Sequence, residues 1–439
     1  MKSIFRKPNK LVKFVAHYMT ATNNHKSPLL TIFLTVFIDM LGVGIVIPVI
    51  APLLLDPAHE MLSFDVSTHT RTILLGFLIA AYPLAQFFGA PMLGALSDRF
   101  GRKKLLFISL VGTLIGYILF ATAILEQNIY LLFFSRFLDG FTGGNISIAL
   151  SSISDFSDEK SKAKNFGIVG AAFGLGFILG PYIGGKFADP SIVSWFNAAT
   201  PFWFAGLLTL VNLAFVFFIF PETLRERRHT AVSVFTGIRN IGKAFRLKQM
   251  RTIFCVVFLL TLGFNFFTQF FQVFLINKFN FTISNIADIF AFIGIWIVVA
   301  QGALQRPLSK KFAPLSILQV AGLGLGLVLP LLLFPSQSKY IFFVLPFIAI
   351  FQGLTQPNIT SVVSSQAGKD EQGQILGINQ SIQSLGMAIP PIIASYINLV
   401  NINLPIATAS FCIILGWVVL ILFFKNKKEP TLATTTTFT

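Results

Sequence analysis

Gly94-Ala-Leu-Ser-Asp98-Arg99-Phe-Gly101-Arg102-Lys103-Lys104 sets one acid and four basic residues between two long apolar runs. Residues 72–94 before it carry no charge, and residues 104–125 after it carry only Lys104. Each flank matches the roughly 20 residues that an α-helix needs to cross a hydrocarbon core of about 30 Å. Apolar runs of this kind recur from residue 30 to residue 424. Backbone N–H and C=O groups must be paired internally in lipid, so such runs are helices.

Composition agrees. Of the 439 residues, 54% are hydrophobic and only 11% charged, against about 25% charged in soluble domains. Further spans are expected at 30–55, 129–152, 164–187, 200–220, 252–276, 283–305, 314–334, 340–363, 374–397 and 403–424. With the two flanking the quoted segment, that makes twelve, in two groups of six. The expected organisation is a tail over 1–29, a six-helix bundle over 30–220 and a linker over 221–251. A second bundle follows over 252–424, then a threonine-rich, disordered tail over 425–439.

A net charge of +16 would suggest an acidic or nucleic-acid partner in a soluble protein. Here the basic residues sit in loops on one side: Lys2 to Lys26, Arg99 to Lys104, Lys160 to Lys164, Arg225 to Arg251, Arg306 to Lys311, Lys369 and Lys425 to Lys428. The opposite loops hold only Arg71, Lys186, Lys278 and Lys339. The positive-inside rule places the rich side, and both termini, in the cytoplasm. No nucleic-acid partner is implied; the surroundings are a lipid bilayer. The stretch Met1–Lys26 lacks the apolar core of a signal peptide. Cys255 and Cys412 lie inside apolar runs and read as small packing residues. No Walker loop, metal-ligand cluster or catalytic Ser/His/Asp set occurs, so neither metal nor cofactor is expected.

The two groups of six resemble each other weakly. Gly302-Ala-Leu-Gln-Arg-Pro-Leu-Ser-Lys-Lys-Phe312, between spans 8 and 9, keeps the leading glycine, the bases and the aromatic of the segment between spans 2 and 3. Such repeats mark secondary transporters that bind solute near the bilayer midplane. The segment from Gly94 to Lys104 itself resembles the GxLxDRxGRKK signature of the major facilitator superfamily. The chemistry reads without the name: Gly94 permits close packing, Asp98 can cap a helix N-terminus, and Arg102 can pair with Asp155 at the end of span 4. The resemblance implies that Gly94, Asp98, Arg99, Gly101, Arg102, Lys103 and Asp155 form a cytoplasmic latch.

Span 5 carries Gly167, Gly176, Gly180, Pro181, Gly184 and Gly185, similar to the antiporter signature of the superfamily's drug/proton exporters. Small residues at this spacing let helices approach closely. Span 1, from Asp39 to Pro52, is similar to that of twelve-span tetracycline and multidrug antiporters. Arg136-Phe-Leu-Asp139-Gly140 in span 4 resembles their RxxxG pattern, with an acid where an amide or alanine is usual. The fold implied is all-α and integral to the membrane, with twelve transmembrane helices in two pseudo-symmetric six-helix bundles.

Ionisable residues inside a membrane are costly and usually functional. Asp39, Arg136 and Asp139 are the ones well inside spans, and the last two share a helix face. As a proton-coupling cluster, Asp39 and Asp139 are expected to exchange protons with Arg136 tuning them, the alternative being a static buried salt bridge between Arg136 and an Asp. The second half offers amides instead: Asn265, Gln269 and Gln272 on one face of span 7, Gln352 and Gln356 on span 10, and Asn379 and Gln383 on span 11. With Gln86 of span 2 they are candidates for a substrate cavity; interhelical hydrogen bonding is the plainer role for the same groups. The expected protein is a proton-coupled, monomeric exporter of small amphipathic molecules in the cytoplasmic membrane of a bacterium. Alternatives are an exporter dedicated to one metabolite or siderophore, and a proton-coupled nutrient importer. A sensor or a polytopic enzyme is disfavoured, for want of a signalling stretch or a catalytic set.

Overall fold

A computed structural model of the chain describes residues 26–56, 61–157, 159–224, 233, 235–247, 250–366 and 372–424. Residues 1–25 of the expected N-terminal tail, the expected tail 425–439, and residues 225–232, 234, 248 and 249 of the expected linker lie outside the described residues. Every described regular element is helical. The first group comprises α1 (Lys26–Leu55), α2 (Thr68–Phe100), α3 (Arg102–Leu125), α4 (Ile129–Thr142), α5 (Asn145–Phe156), α6 (Glu159–Phe187) and α7 (Thr200–Phe218). The connecting stretch holds α8 (Thr236–Arg246). The second comprises α9 (Arg251–Phe279), α10 (Ile283–Val299), α11 (Gln305–Lys311), α12 (Pro314–Val328), α13 (Ile341–Gln366), α14 (Gln372–Val400) and α15 (Leu404–Phe423).

Local chemistry sets several ends. Ser67 accepts from the Thr70 N–H at 3.2 Å to start α2, and Asn128 accepts from the Leu131 N–H at 3.0 Å to start α4. Thr282 and Asn285 form a reciprocal capping box at α10. Asn280, at φ 53°, turns the chain out of α9.

Among the described residues, ten helices are long and apolar enough to cross a membrane. Of the two remaining passes, one departs from that pattern for a visible reason. Span 4, expected as one helix over 129–152, is broken at Gly143 and Gly144 into α4 and α5. Two successive glycines remove the side chains that would support a continuous helix. The Gln86 amide fills the gap by donating to the Gly143 carbonyl oxygen at 2.9 Å. Span 5, α6, is continuous over Glu159–Phe187, and many of its side chains lie outside the described residues. The connecting stretch, expected to be free of spans, carries among its described residues the 11-residue helix α8. Span 8 contains a π-helical turn, Ala300–Leu304, between α10 and α11.

The packing is pseudo-symmetric. In the first half α1 lies along α6, α2 against α4, and α3 against α7. In the second half the equivalent pairs recur as α9 with α14, α10 with α13, and α12 with α15. Across the halves, α2 runs along α14 and α6 along α10, which is one pair and its pseudo-symmetric image. Phe267, Phe270, Phe271 and Phe274 of α9 are fully buried. Phe134, Leu207, Phe343 and Leu422 are exposed, as suits a surface bathed in lipid rather than water.

Candidate functional site

Buried charge gathers in the first half, where α1 to α5 meet. Arg136 and Asp139, one helical turn apart on α4, are both 6% exposed, and Arg136 Nη1 lies 3.5 Å from Asp139 Oδ2. The guanidinium sits over the Tyr82 ring of α2, 4.6 Å from its centroid, a cation–π arrangement. Gly116 of α3 makes room for Asp139: a Cβ there would lie 2.8 Å from that of the acid. Asp39 of α1 is also 6% exposed, and Asn145, the first residue of α5, donates from Nδ2 to Asp39 Oδ1 at 2.6 Å. Asp39 Oδ2 and Arg136 Nε make no hydrogen bond among the described residues. A buried polar atom left unpaired costs free energy, which makes this centre a place where a proton or a polar ligand group has something to gain.

Tyr82, Asn145 and Gly116 were not among the residues expected at this site. Asn145 had a readable signal, since it directly follows Gly143-Gly144 and so begins a new helix. Nothing local marks Tyr82; only the crossing of α2 and α4 brings it there.

The segment between α2 and α3 is built around one arginine. Arg102, 6% exposed, binds Asp98 Oδ1 through Nη2 at 2.6 Å and Asp155 Oδ2 through Nε at 2.9 Å. Its Nη1 also donates to Ser97 Oγ at 2.6 Å. Asp98 does not cap α3. It still belongs to the last turn of α2, so its carboxylate faces the arginine at i+4. The group at the N-terminus of α3 is Glu222, which follows α7: its Oε1 accepts from the Arg102 N–H at 2.9 Å and its Oε2 from the Lys103 N–H at 3.3 Å. Gly101, at φ +105°, makes the turn that exposes those two N–H groups. Arg99 is exposed and lies over the Phe100 ring. A methyl at Gly94 would only touch Ser147 Oγ at 3.5 Å. All these partners lie in the first half and the stretch that follows it.

The glycines of α6 seat α1. A Cβ at Gly180 would meet the Leu41 carbonyl oxygen at 2.5 Å, and Gly176 faces the Phe37 carbonyl and Gly184 that of Ile45. Pro181 packs on Gly44 of α1, whereas Gly185 faces Ala287 of α10, in the other half. Gly167 lies in α6, in a stretch whose side-chain surroundings are outside the described residues.

The amides of the second half divide. A cavity of about 120 Å³ is lined by Asn265, Gln352, Gln356 and Gln383, from α9, α13 and α14, with Thr355 and Phe264 beside them. Gln272 and Asn379 lie elsewhere, and each keeps a buried oxygen without a hydrogen bond among the described residues. Gln269 gives its carbonyl to Gln272 Nε2 at 3.4 Å. Gln86 is committed to the break in span 4. Asn358, displaced from the span 10 face, exchanges hydrogen bonds with Gln305 at 2.8 and 3.3 Å.

Two pseudo-symmetric helical halves, a buried cluster of ionisable side chains in one and an amide-lined cavity in the other, define a multi-pass membrane transporter. Comparison with known proteins gives the family. The model of the Major Facilitator Superfamily matches residues 32–391. The chain is 30% identical over 370 residues to the class C tetracycline resistance protein of Escherichia coli, covering 84% of this chain and 89% of that one. It is 28% identical over 419 residues to multidrug resistance protein 2 of Bacillus subtilis, covering 94% and 98%. Among solved structures, the human organic anion transporter MFSD10 superposes with a TM-score of 0.71 at 23% identity, covering 90% of this chain and 99% of that one. A D-xylose–proton symporter superposes with a TM-score of 0.74 at 14% identity over 91% and 98%, a likeness of fold alone. The chain belongs to the Major Facilitator Superfamily, and by that membership it is a transporter rather than an enzyme.

Proposed function

We propose that this protein exports small amphipathic, drug-like molecules in exchange for protons, from the cytoplasmic membrane of a bacterium. The observation that carries the reading is the buried centre of Asp39, Arg136 and Asp139. Acids kept inside a membrane protein, with hydrogen-bonding capacity left over, are where a proton can be taken up and released. Support for the outward direction comes from the relatives, which are named for resistance to tetracycline and to multiple drugs.

In this reading the basic loops and both termini face the cytoplasm. The chain divides into bundles over 30–220 and 252–424 that rock about a central site. The network of Asp98, Arg102 and Asp155 steadies the cytoplasmic end of the first bundle as it moves. Asp39 and Asp139 exchange protons, and Arg136, 3.5 Å from Asp139, tunes them. The protein works as a monomer, and the proton gradient alone supplies the energy.

The test uses inverted membrane vesicles and a panel of dyes and antibiotics, with uptake driven by an imposed proton gradient. The expected result is gradient-dependent uptake by the wild type, lost in both Asp39→Asn and Asp139→Asn, while gradient-free counterflow of substrate survives in at least one of them. Full gradient-driven uptake by both variants would sink the proton assignment. Solute and protons leaving the vesicles together, from the lumen that corresponds to the periplasm, would instead make the protein a proton-coupled importer.

A further inference from the structure

We infer that the cavity between α9, α13 and α14 takes an uncharged, hydrogen-bonding ring of the substrate and excludes permanent cations. The inference rests on the transport reading of that cavity and narrows it to a ligand class. Three features of the cavity point the same way.

Size comes first. A volume of about 120 Å³ falls below the roughly 300–1,000 Å³ of pockets that enclose a drug-sized ligand. It is close to the apolar cavity of about 150 Å³ that holds one benzene in an engineered protein. In this conformation the site therefore grips one ring-sized part of a molecule.

The second feature is the state of the amides. The side chains of Gln352, Gln356 and Gln383 make no hydrogen bond to another described residue. Asn265 uses one N–H on the Thr261 carbonyl at 2.8 Å and keeps its oxygen. Each amide can donate and accept, and glutamine can turn to offer either group. Phe264 of α9 and Met387 of α14 supply apolar surface to the same cavity. This surface complements a flat ring bearing both a donor and an acceptor, and it tolerates more than one arrangement of them.

Charge is the third. None of the described residues lining the cavity is charged; Asp39 and Asp139 belong to α1 and α4 of the other half. A fixed positive charge entering here meets dipoles but no counter-ion, and leaves water to do so. The penalty translates into binding at least about tenfold weaker than that of a neutral ligand of the same shape. The structure thus separates recognition, in the second half, from charge handling, in the first.

Nicotinamide and its N-methyl cation test this directly, because they share a ring and a carboxamide and differ in permanent charge. Binding is followed by saturation-transfer NMR on purified protein without any gradient, for the wild type, Gln356→Leu, Gln356→Glu and Gln383→Glu. The wild type should bind nicotinamide and bind the cation at least tenfold more weakly. Gln356→Leu should weaken nicotinamide severalfold, and at least one glutamate variant should invert the preference. The two glutamate positions guard against one variant failing to fold, with a thermal melt as the control. Equal or tighter binding of the cation by the wild type overturns the inference, as does a wild type that binds neither compound. So do well-folded glutamate variants that both keep the original preference. A protein that binds as expected yet fails to pump in vesicles refutes the export reading and leaves this one standing.

Discussion

Lys186 at the end of α6 places its ammonium 2.9 Å from Asp288 Oδ1 of α10, and 2.7 Å from Ser284 Oγ, so one side chain ties the first half to the second. The tie sits at the end remote from the basic loops. Asp189, in the loop after α6, stands near the same ammonium, and hydrogen bonds from Ser191 hold its carboxyl below the usual carboxylate range. The same end is closed by Gly185 against Ala287, and by Gly76 of α2 against Pro391 and Ser395 of α14.

Opening the molecule at this end must break the Lys186–Asp288 pair. The pair is partly exposed, at 22% and 52% of the side chains, so its loss should cost no more than about 1 kcal/mol and leave the fold intact. With Cys255 and Cys412 replaced by alanine, a cysteine at Ala287 should react with an impermeant maleimide up to about fivefold faster once Asp288→Asn is added. The exchanged pair Lys186→Asp with Asp288→Lys should restore slow labelling. Unchanged labelling in Asp288→Asn would show that the contact does not hold this end shut.

Glu222 tests which acid serves the start of α3. Removing its charge takes a carboxylate from a helix N-terminus, worth about 0.3–1 kcal/mol at an exposed site. Glu222→Gln should therefore melt at a lower temperature than the wild type in detergent. Glu126→Gln is the matched control, because Glu126 stands at the C-terminus of the same helix, where a negative charge is unhelpful. It should melt no lower than the wild type. Equal melting of Glu222→Gln and the wild type would remove Glu222 from that role.

How much of this was readable in the sequence depends on the range of the interaction. The recurrence of membrane-length helices and the pairing of Arg102 with Asp155 follow from run length and motif spacing; ten such helices and that ion pair are present among the described residues. The break in span 4 is local too, but Gly143-Gly144 sits in an apolar run, where hydropathy averages it away. Glu222 is invisible from Arg102, since 120 residues separate them and only the return of α7 to the same end makes them neighbours. The amides show the same limit. Helical spacing put Asn265, Gln269 and Gln272 on one face, yet a face is wider than a cavity. The turn of α9 against α13 and α14 leaves Asn265 on the cavity wall and carries Gln272 away from it.

Glycines that look alike in sequence should behave differently. A methyl at Gly180 collides with the Leu41 carbonyl, where α1 and α6 have no room to part. Overpacking of this kind costs about 1–3 kcal/mol. At Gly302, in the π-helical turn, an added Cβ would meet nothing within 4 Å. Gly180→Ala should lower both the yield of folded protein and its melting temperature, while Gly302→Ala should match the wild type in both. Equal stability of the two variants would mean that the α1–α6 contact yields more than its geometry suggests.

The helix α8 offers the remaining prediction, because it touches both halves. Gly237 lies against the Phe87 carbonyl of α2, and Asn240 Nδ2 donates to Ser381 Oγ of α14 at 3.0 Å. Its opposite face exposes Phe235, Ile238 and Phe245 beside Arg239, Lys243 and Arg246, a pattern suited to the surface of a membrane. If the halves rock, α2 and α14 shift relative to each other and a helix lodged against both must let go of one. Cysteines at Asn240 and Ser381 joined by a short bifunctional maleimide should stop vesicle uptake, whereas either cysteine alone, treated the same way, should retain most of it. Undiminished uptake by the cross-linked protein would show that α8 travels with the second half and that the contact with Phe87 is the one that opens.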